Sequence, residues 1–159
     1  MPAISRVLAS ILVSGLIAGS GLADDWTRFR GPNGSGVSAS TGLPTEFGPQ
    51  SNVAWSTEVP FARSSPVFAG DNIFLTAIDD KKFSTLALSR QSGEILWHRE
   101  IERNRTDEMH QATDSATPSP VTDGENVYAF FQETGLVSYT AEGEKRWELD
   151  LGPFRNFYG

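Results

Sequence analysis

The sequence predicts an all-β protein. It reads as a β-propeller of four-stranded antiparallel blades, incomplete here, with about two blades plus one outer strand. Three observations predict it. First, the chain is written twice: Ser65-Pro66-Val67 recurs as Ser119-Pro120-Val121 at an offset of 54, and Gly93-Glu94 with Trp97 recurs as Gly143-Glu144 with Trp147 at an offset of 50. Second, turn residues cut each copy into short segments at the spacing of antiparallel strands. Third, the last segment of each copy alternates around its tryptophan, as a strand covered on one face does.

Taken in order, the chain opens on Arg6, an apolar run from Val7 to Gly19, and small residues in Gly21-Leu22-Ala23 before Asp24-Asp25. The run is too short for a membrane span. With a positive start and a small-residue cleavage site it is the pattern of a secretory signal peptide, residues 1–23, cut after Ala23. Residues 24–51 form an extended lead-in. Its DWTRFRGPNGSGVS stretch is rich in Gly, Asn and Ser, which favours turns over helix. No strand before it, helix after it or Lys-Ser/Thr closes it as a phosphate-binding loop requires.

The repeat region spans 52–159. Asn52–Val59 reads as an outer blade strand, because Trp55 and Val59 are four apart, like Trp97 and Ile101, and Trp147 and Leu151. The first blade, about 64–101, divides into Pro66–Phe68, Asn72–Ile78, Phe83–Ser89 and Ile95–Ile101. Ala69-Gly70-Asp71, Asp79-Asp80-Lys81-Lys82 and Arg90-Gln91-Ser92-Gly93 break it. The second blade, about 117–151, turns at Thr122-Asp123-Gly124-Glu125 and at Ala141-Glu142-Gly143. Asp-Gly and Ser-Gly supply the positive φ of tight turns. IFLTAI and VYAFF are apolar on both faces, so each is expected to be covered from both sides. In the outer strands Trp97 and Ile101 oppose His98 and Glu100, and Trp147, Leu149 and Leu151 oppose Arg146, Glu148 and Asp150. Each tryptophan is expected to wedge into a seam between blades. Two blades and one further strand do not close a ring, so the sequence reads as a fragment of a longer repeat protein.

Composition narrows the function. Twenty acidic residues stand against 13 basic ones, so no basic surface is available to neutralise nucleic-acid phosphates or an anionic membrane. The chain has no cysteine. This excludes disulfides, thiolate zinc sites, iron–sulfur clusters and a thiol nucleophile.

Ala87-Leu88-Ser89-Arg90-Gln91-Ser92-Gly93-Glu94-Ile95-Leu96-Trp97 fits the unit A-L-x-x-x-[ST]-G-E-x-x-W, and Val137-Ser138-Tyr139 with Gly143-Glu144-Lys145-Arg146-Trp147 is a shortened copy. The unit resembles the repeat of pyrroloquinoline-quinone-like β-propellers. Trp26, Phe29-Arg30-Gly31-Pro32 and Gly34 are similar to the W-x-x-F-R-G-P-x-G start of its secreted bacterial members. The resemblance covers Asp25 to Gly159. It implies a fold shared by enzymes and non-enzymes.

Two functions follow from the resemblance. One is a quinoprotein dehydrogenase holding pyrroloquinoline quinone and Ca²⁺ at the ring centre. Family enzymes often stack the quinone on a vicinal cysteine pair, which this chain lacks, and no matched position supplies the six to eight oxygens that Ca²⁺ takes. Under this alternative the cofactor site lies outside the chain. The other is a secreted, non-catalytic scaffold for a protein partner or ligand, periplasmic or extracellular, similar to the lipoprotein of the outer-membrane β-barrel assembly machinery. That lipoprotein carries a lipid-bearing cysteine at its cleavage site, whereas this sequence has Ala23 there and no cysteine anywhere, so a lipid anchor is not expected, nor a membrane span after signal cleavage. The scaffold is the expected function, with no catalytic, cofactor-binding or metal residues and no cofactor. Asp107, Glu108, His110 and Asp114 are the one cluster that could bind a metal or move protons. Their spacing fits no metal motif, and the polar, unpatterned stretch around them reads as a solvated inter-blade loop suited to partner contact.

Overall fold

A computed structural model describes residues 25–79, 82–110 and 113–154. The predicted signal peptide and the Asp80-Lys81 pair lie outside the described residues. Eight strands form two sheets, with no helix among the described residues. The first sheet holds β1 (Val67–Ala69), β2 (Asn72–Asp79), β3 (Lys82–Ser89) and β4 (Ile95–Glu102). The second holds β5 (Val121–Thr122), β6 (Asn126–Phe131), β7 (Gly135–Thr140) and β8 (Lys145–Asp150). In both, every strand pairs antiparallel with its neighbour in sequence. Short polar turns allow only such local pairing. These are two blades of an unclosed propeller.

The sheets stack face to face. Val67, Phe74, Phe83, Ala87, Trp97 and Ile101 of the first meet Val127, Ala129, Phe131, Val137 and Tyr139 of the second, with Ala116 of the connection between them. Phe83 and Phe131 stack with ring centroids 5.1 Å apart. The two Ser-Pro-Val blocks lie side by side, Ser65 N–H donating to Ser119 Oγ at 2.9 Å. A smaller cluster on the far face of the first sheet, Leu75, Ala77, Leu86 and Leu88, is covered by Val59 and Ala62 of the segment that precedes β1.

Trp97 occupies the seam between the sheets. Its ring leans on Phe74 and on Tyr139 of the second sheet. Its indole N–H donates to Ala141 O at 2.8 Å, and Arg99 Nε donates to Gly143 O at 2.7 Å. Gly143 has a positive φ of 87°, and a Cβ there would stand 2.6 Å from the indole. Glycine is required by both the turn and the ring. The other face of the first sheet repeats the device: Trp55 Nε1 donates to Arg90 O at 3.0 Å, Thr57 Oγ1 donates to Gly93 O at 2.6 Å, and the Trp55 indole covers Gly93.

Four expectations are qualified by the structure. Asn52–Val59, read as the outer strand of a blade whose other strands are absent, pairs with no strand among the described residues. It runs with Trp55, Thr57 and Val59 inward and Ser56 and Glu58 outward, but no sheet edge receives its backbone groups. Trp147 does not wedge into a seam. It is 39% exposed, because no third sheet lies on that face among the described residues. Arg146 shares the Trp147 face instead of opposing it. A register shift at Ser138/Tyr139 turns its side chain so that Nη1 donates to Ser138 Oγ at 3.0 Å. VYAFF is fully covered on one face only: Val127, Ala129 and Phe131 are buried, while Tyr128 and Phe130 are half-buried.

The lead-in is tied to both sheets. Trp26 exchanges two backbone hydrogen bonds of 2.9 Å with Phe68, and Thr27 O accepts from Thr122 N. Trp26 also covers Gly31. The W-x-x-F-R-G-P-x-G signature is thus a clasp across the inner strands.

Trp97→Ala should cost about 3–5 kcal/mol, as other large-to-small core changes do. Trp147→Ala, His98→Ala and Glu100→Ala should each stay within about 0.5–1 kcal/mol. Denaturant melts of the four variants check this. Equal losses at Trp97 and Trp147 would contradict the difference in burial.

The seam should also be sensitive to alkali. Burial pushes the Tyr139 phenol up from 10.0 to about 12. The neutral ring is therefore the form that the fold favours: its contribution is complete below pH 10 and falls away as the pH rises towards 12. Tyr139→Phe should flatten the alkaline part of the stability profile, followed by melts across that range.

Candidate interaction surface

The acids and the histidine singled out in the sequence lie in the connection between the sheets, residues 103–120, and two of the four, Asp107 and Asp114, hold it through side-chain contacts. Asp107 accepts from Arg105 Nε at 3.2 Å, and its own N–H donates to Glu133 Oε1 at 2.7 Å. Asp114 accepts from Ala116 N–H at 2.9 Å and lies 3.4 Å from Arg63 Nε. Glu108 and His110 are exposed. Among the described residues no three His, Cys, Asp or Glu side chains come together to hold a metal ion. The cluster is spread along a tether.

Glu133 was not legible in the sequence. It sits in the β6–β7 turn, where a charged residue normally faces water, yet it is wholly buried. It pairs with Arg103 and accepts from Asp107 N–H, the partners that a buried carboxylate requires. Arg105 reaches Asp150 at 3.2 Å and the carbonyls of Gln132 and Leu151. Thr76 Oγ1 bridges to the carbonyls of Ala116 and Pro118 at 2.8 and 2.9 Å.

A cavity of about 490 Å³ opens beside the inner strands, lined by Arg28, Phe29, Arg63, Ser65, Pro118 and Val121 among others. Its cations are already engaged. Arg28 donates to the carbonyls of Gly31 and Pro32, and Arg63 faces Asp114 and lies over the Phe61 ring. The cavity walls carry no carboxylate, so this opening does not offer the oxygen set that Ca²⁺ needs.

The feature with the clearest capacity to bind is the outer face of the second sheet. Register places Val121 beside Tyr128, Tyr128 beside Ser138 and Ser138 beside Trp147, with Leu136 beside Leu149. Val121, Trp147, Leu149 and Phe154 are exposed at 39–52%. Tyr128 and Trp147 lie 6.1 Å apart at 42°, almost the arrangement of Phe74 and Trp97 in the first sheet at 6.0 Å and 38°. Phe154 meets Phe130 edge-on at 5.5 Å.

The corner of this face is held electrostatically. Asp123 accepts from Asn126 N–H at 2.6 Å and from the Tyr128 hydroxyl at 2.8 Å. Those donors, the backbone one foremost, hold its carboxyl down at about 2. The hydroxyl bond to Asp123 orients Tyr128 at the edge of the face. A contiguous apolar face with aromatics and a charged border is one that another sheet or a protein partner can cover.

No curated protein matches the chain at significance. Residues 48–156, well over half of it, match the family model described as outer membrane protein assembly factor BamB. That span takes in Trp55, both glycine turns and all eight strands, and the chain belongs to this family of pyrroloquinoline-quinone-like repeat proteins.

Proposed function

We propose that the chain is an exported, non-catalytic β-propeller scaffold that binds protein partners in the periplasm or outside the cell. Residues 1–23 act as its signal peptide, 24–51 as its lead-in and 52–159 as its repeat region. The observation that carries this reading is the open face of the second sheet, where Val121, Tyr128, Trp147 and Leu149 present an aromatic and aliphatic surface to solvent. Large aromatics of this kind dominate binding energy at protein interfaces. The family description, an assembly factor, agrees with a role in contact instead of conversion. Net charge of −7 disfavours nucleic acid. No helix among the described residues is long and apolar enough to cross a membrane.

The chain's residues do not fit a quinone site of the enzymes it resembles. There is no cysteine to stack on the quinone, and the described acids do not converge on a Ca²⁺ position. An absorbance titration with pyrroloquinoline quinone, with and without Ca²⁺, should show no saturable binding. Saturable binding with dye-linked alcohol or sugar oxidation would replace the scaffold reading by a dehydrogenase.

Tagged, exported chain should capture a reproducible set of envelope proteins, and Trp147→Glu should deplete that set. Capture that is indifferent to Trp147→Glu would remove the open face as the binding surface.

A further inference from the structure

The chain leaving β4 reads Glu102-Arg103-Asn104-Arg105-Thr106. It contains Asn-Arg-Thr, the acceptor pattern for asparagine-linked oligosaccharide in exported proteins. It also has an acid two residues before the asparagine, which transferases of the bacterial type require in addition. The asparagine amide is the nucleophile. The threonine hydroxyl is a hydrogen-bond handle for the transferase, and the acid is a charge handle for a cationic side chain.

The fold displays these three residues together. Side chains alternate along extended backbone, and exposure alternates with them: Glu102, Asn104 and Thr106 are exposed, while Arg103 and Arg105 are half-buried. The arginines anchor the segment from beneath. Arg103 pairs with Glu133, and Arg105 reaches Asp107 and Asp150 at 3.2 Å each. The outward side chains are left accessible. That of Glu102 is 75% exposed, 3.7 Å from Lys82 Nζ, a contact of little strength at a surface. The side chains of Asn104 and Thr106 have no hydrogen-bond partner among the described residues. Because β4 is the outermost strand of its sheet, the site stands at a sheet edge and not on a stacking face.

A second triplet, Asn33-Gly34-Ser35, provides a contrast within the same chain. Gly31 stands where the acid would be. Asn33 Oδ1 accepts from Ser35 N–H at 2.9 Å and from Ser35 Oγ at 2.7 Å, so amide and hydroxyl are engaged with each other in a closed turn.

We infer that Asn104 is the acceptor for an N-linked oligosaccharide, transferred from a polyprenyl-diphosphate donor by an oligosaccharyltransferase of the bacterial type, and that Asn33 is not. This rests on export of the chain. Asn104 Nδ2 bonds to the anomeric carbon of the donor's first sugar. The bond from that carbon to the diphosphate oxygen breaks, the polyprenyl diphosphate leaves with its electron pair, and one amide proton passes to the transferase. The glycan projects from the edge and leaves the Glu133 clasp and the seam intact.

The test starts with the exported chain from its own cells. Cleavage at glutamate should release residues 103–108 bearing an oligosaccharide mass, with Asn33 bare. The purified mature chain should also accept the oligosaccharide from a single-subunit bacterial transferase and its lipid-linked donor. In that reaction Asn104→Gln should lose the added mass, Glu102→Gln should lose most of it, and Asn33→Gln should keep it. The melting midpoint of Asn104→Gln should match that of the unmodified parent chain. Exported chain that lacks residues 1–23 but has a bare Asn104 overturns the proposal and leaves export standing. A chain that keeps residues 1–23 overturns export; the purified reaction then decides, and no transfer to Asn104 overturns the site. Transfer to Asn33 in place of Asn104 overturns it as well.

Discussion

The structure depends on one contact, an indole laid flat against a glycine. Trp97 and Gly143 are 46 residues apart in the chain, yet each needs the other. The glycine leaves room for the ring and adopts a backbone conformation that side chains resist. The ring closes the rim of the turn and satisfies Ala141 O with its N–H. Around this contact the apolar faces of the two sheets come into register, from Phe74 at one end to Phe131 at the other. Neither sheet could bury both faces alone. A four-stranded sheet of this size is stable only against another layer.

Much of this was legible in the sequence, and the reason is local chemistry. Turn residues at Gly70-Asp71, Ser92-Gly93 and Gly124 mark where the chain must reverse, and the strands between them follow. Trp97 and Ile101 were legible as buried because a strand with a period of two must place them on one face. The propeller architecture was legible from repetition, since a motif recurring every 50 or so residues describes one unit and its neighbour. What the sequence did not disclose depends on partners distant in the chain. Glu133 reads as an ordinary turn acid, and only the Arg103 guanidinium folding over it makes its burial tolerable. Asn52–Val59 has the spacing of an outer strand, but spacing cannot supply a neighbouring edge. Trp147 matches Trp97 in every local respect and differs only in what lies opposite.

The two sheets are joined by more than the seam. The connection from Arg103 to Pro120 crosses the second sheet's β6–β7 turn and is fastened by Glu133, Arg105 and Asp107, while Thr76 binds the carbonyls of Ala116 and Pro118. Asp107 and Asp114, two of the four residues that looked most like chemistry, are therefore engaged in positioning. The exposed aromatic surface of the second sheet is the feature on which the proposed partner-binding role rests. A propeller suits that role because its blades supply rigid walls while turns and connections vary.

Strand order has a consequence for how the chain folds. Each sheet is a run of consecutive hairpins, so nearly all of its backbone pairing joins residues close in sequence and can form early and independently. The indole–glycine contact joins residues 46 apart and needs both sheets in place before it can form. Cooperativity in this molecule is thus a property of the joint and not of the sheets. A change that spoils the joint while sparing the hairpins would leave each sheet without its covering layer, so the two blades would lose stability together.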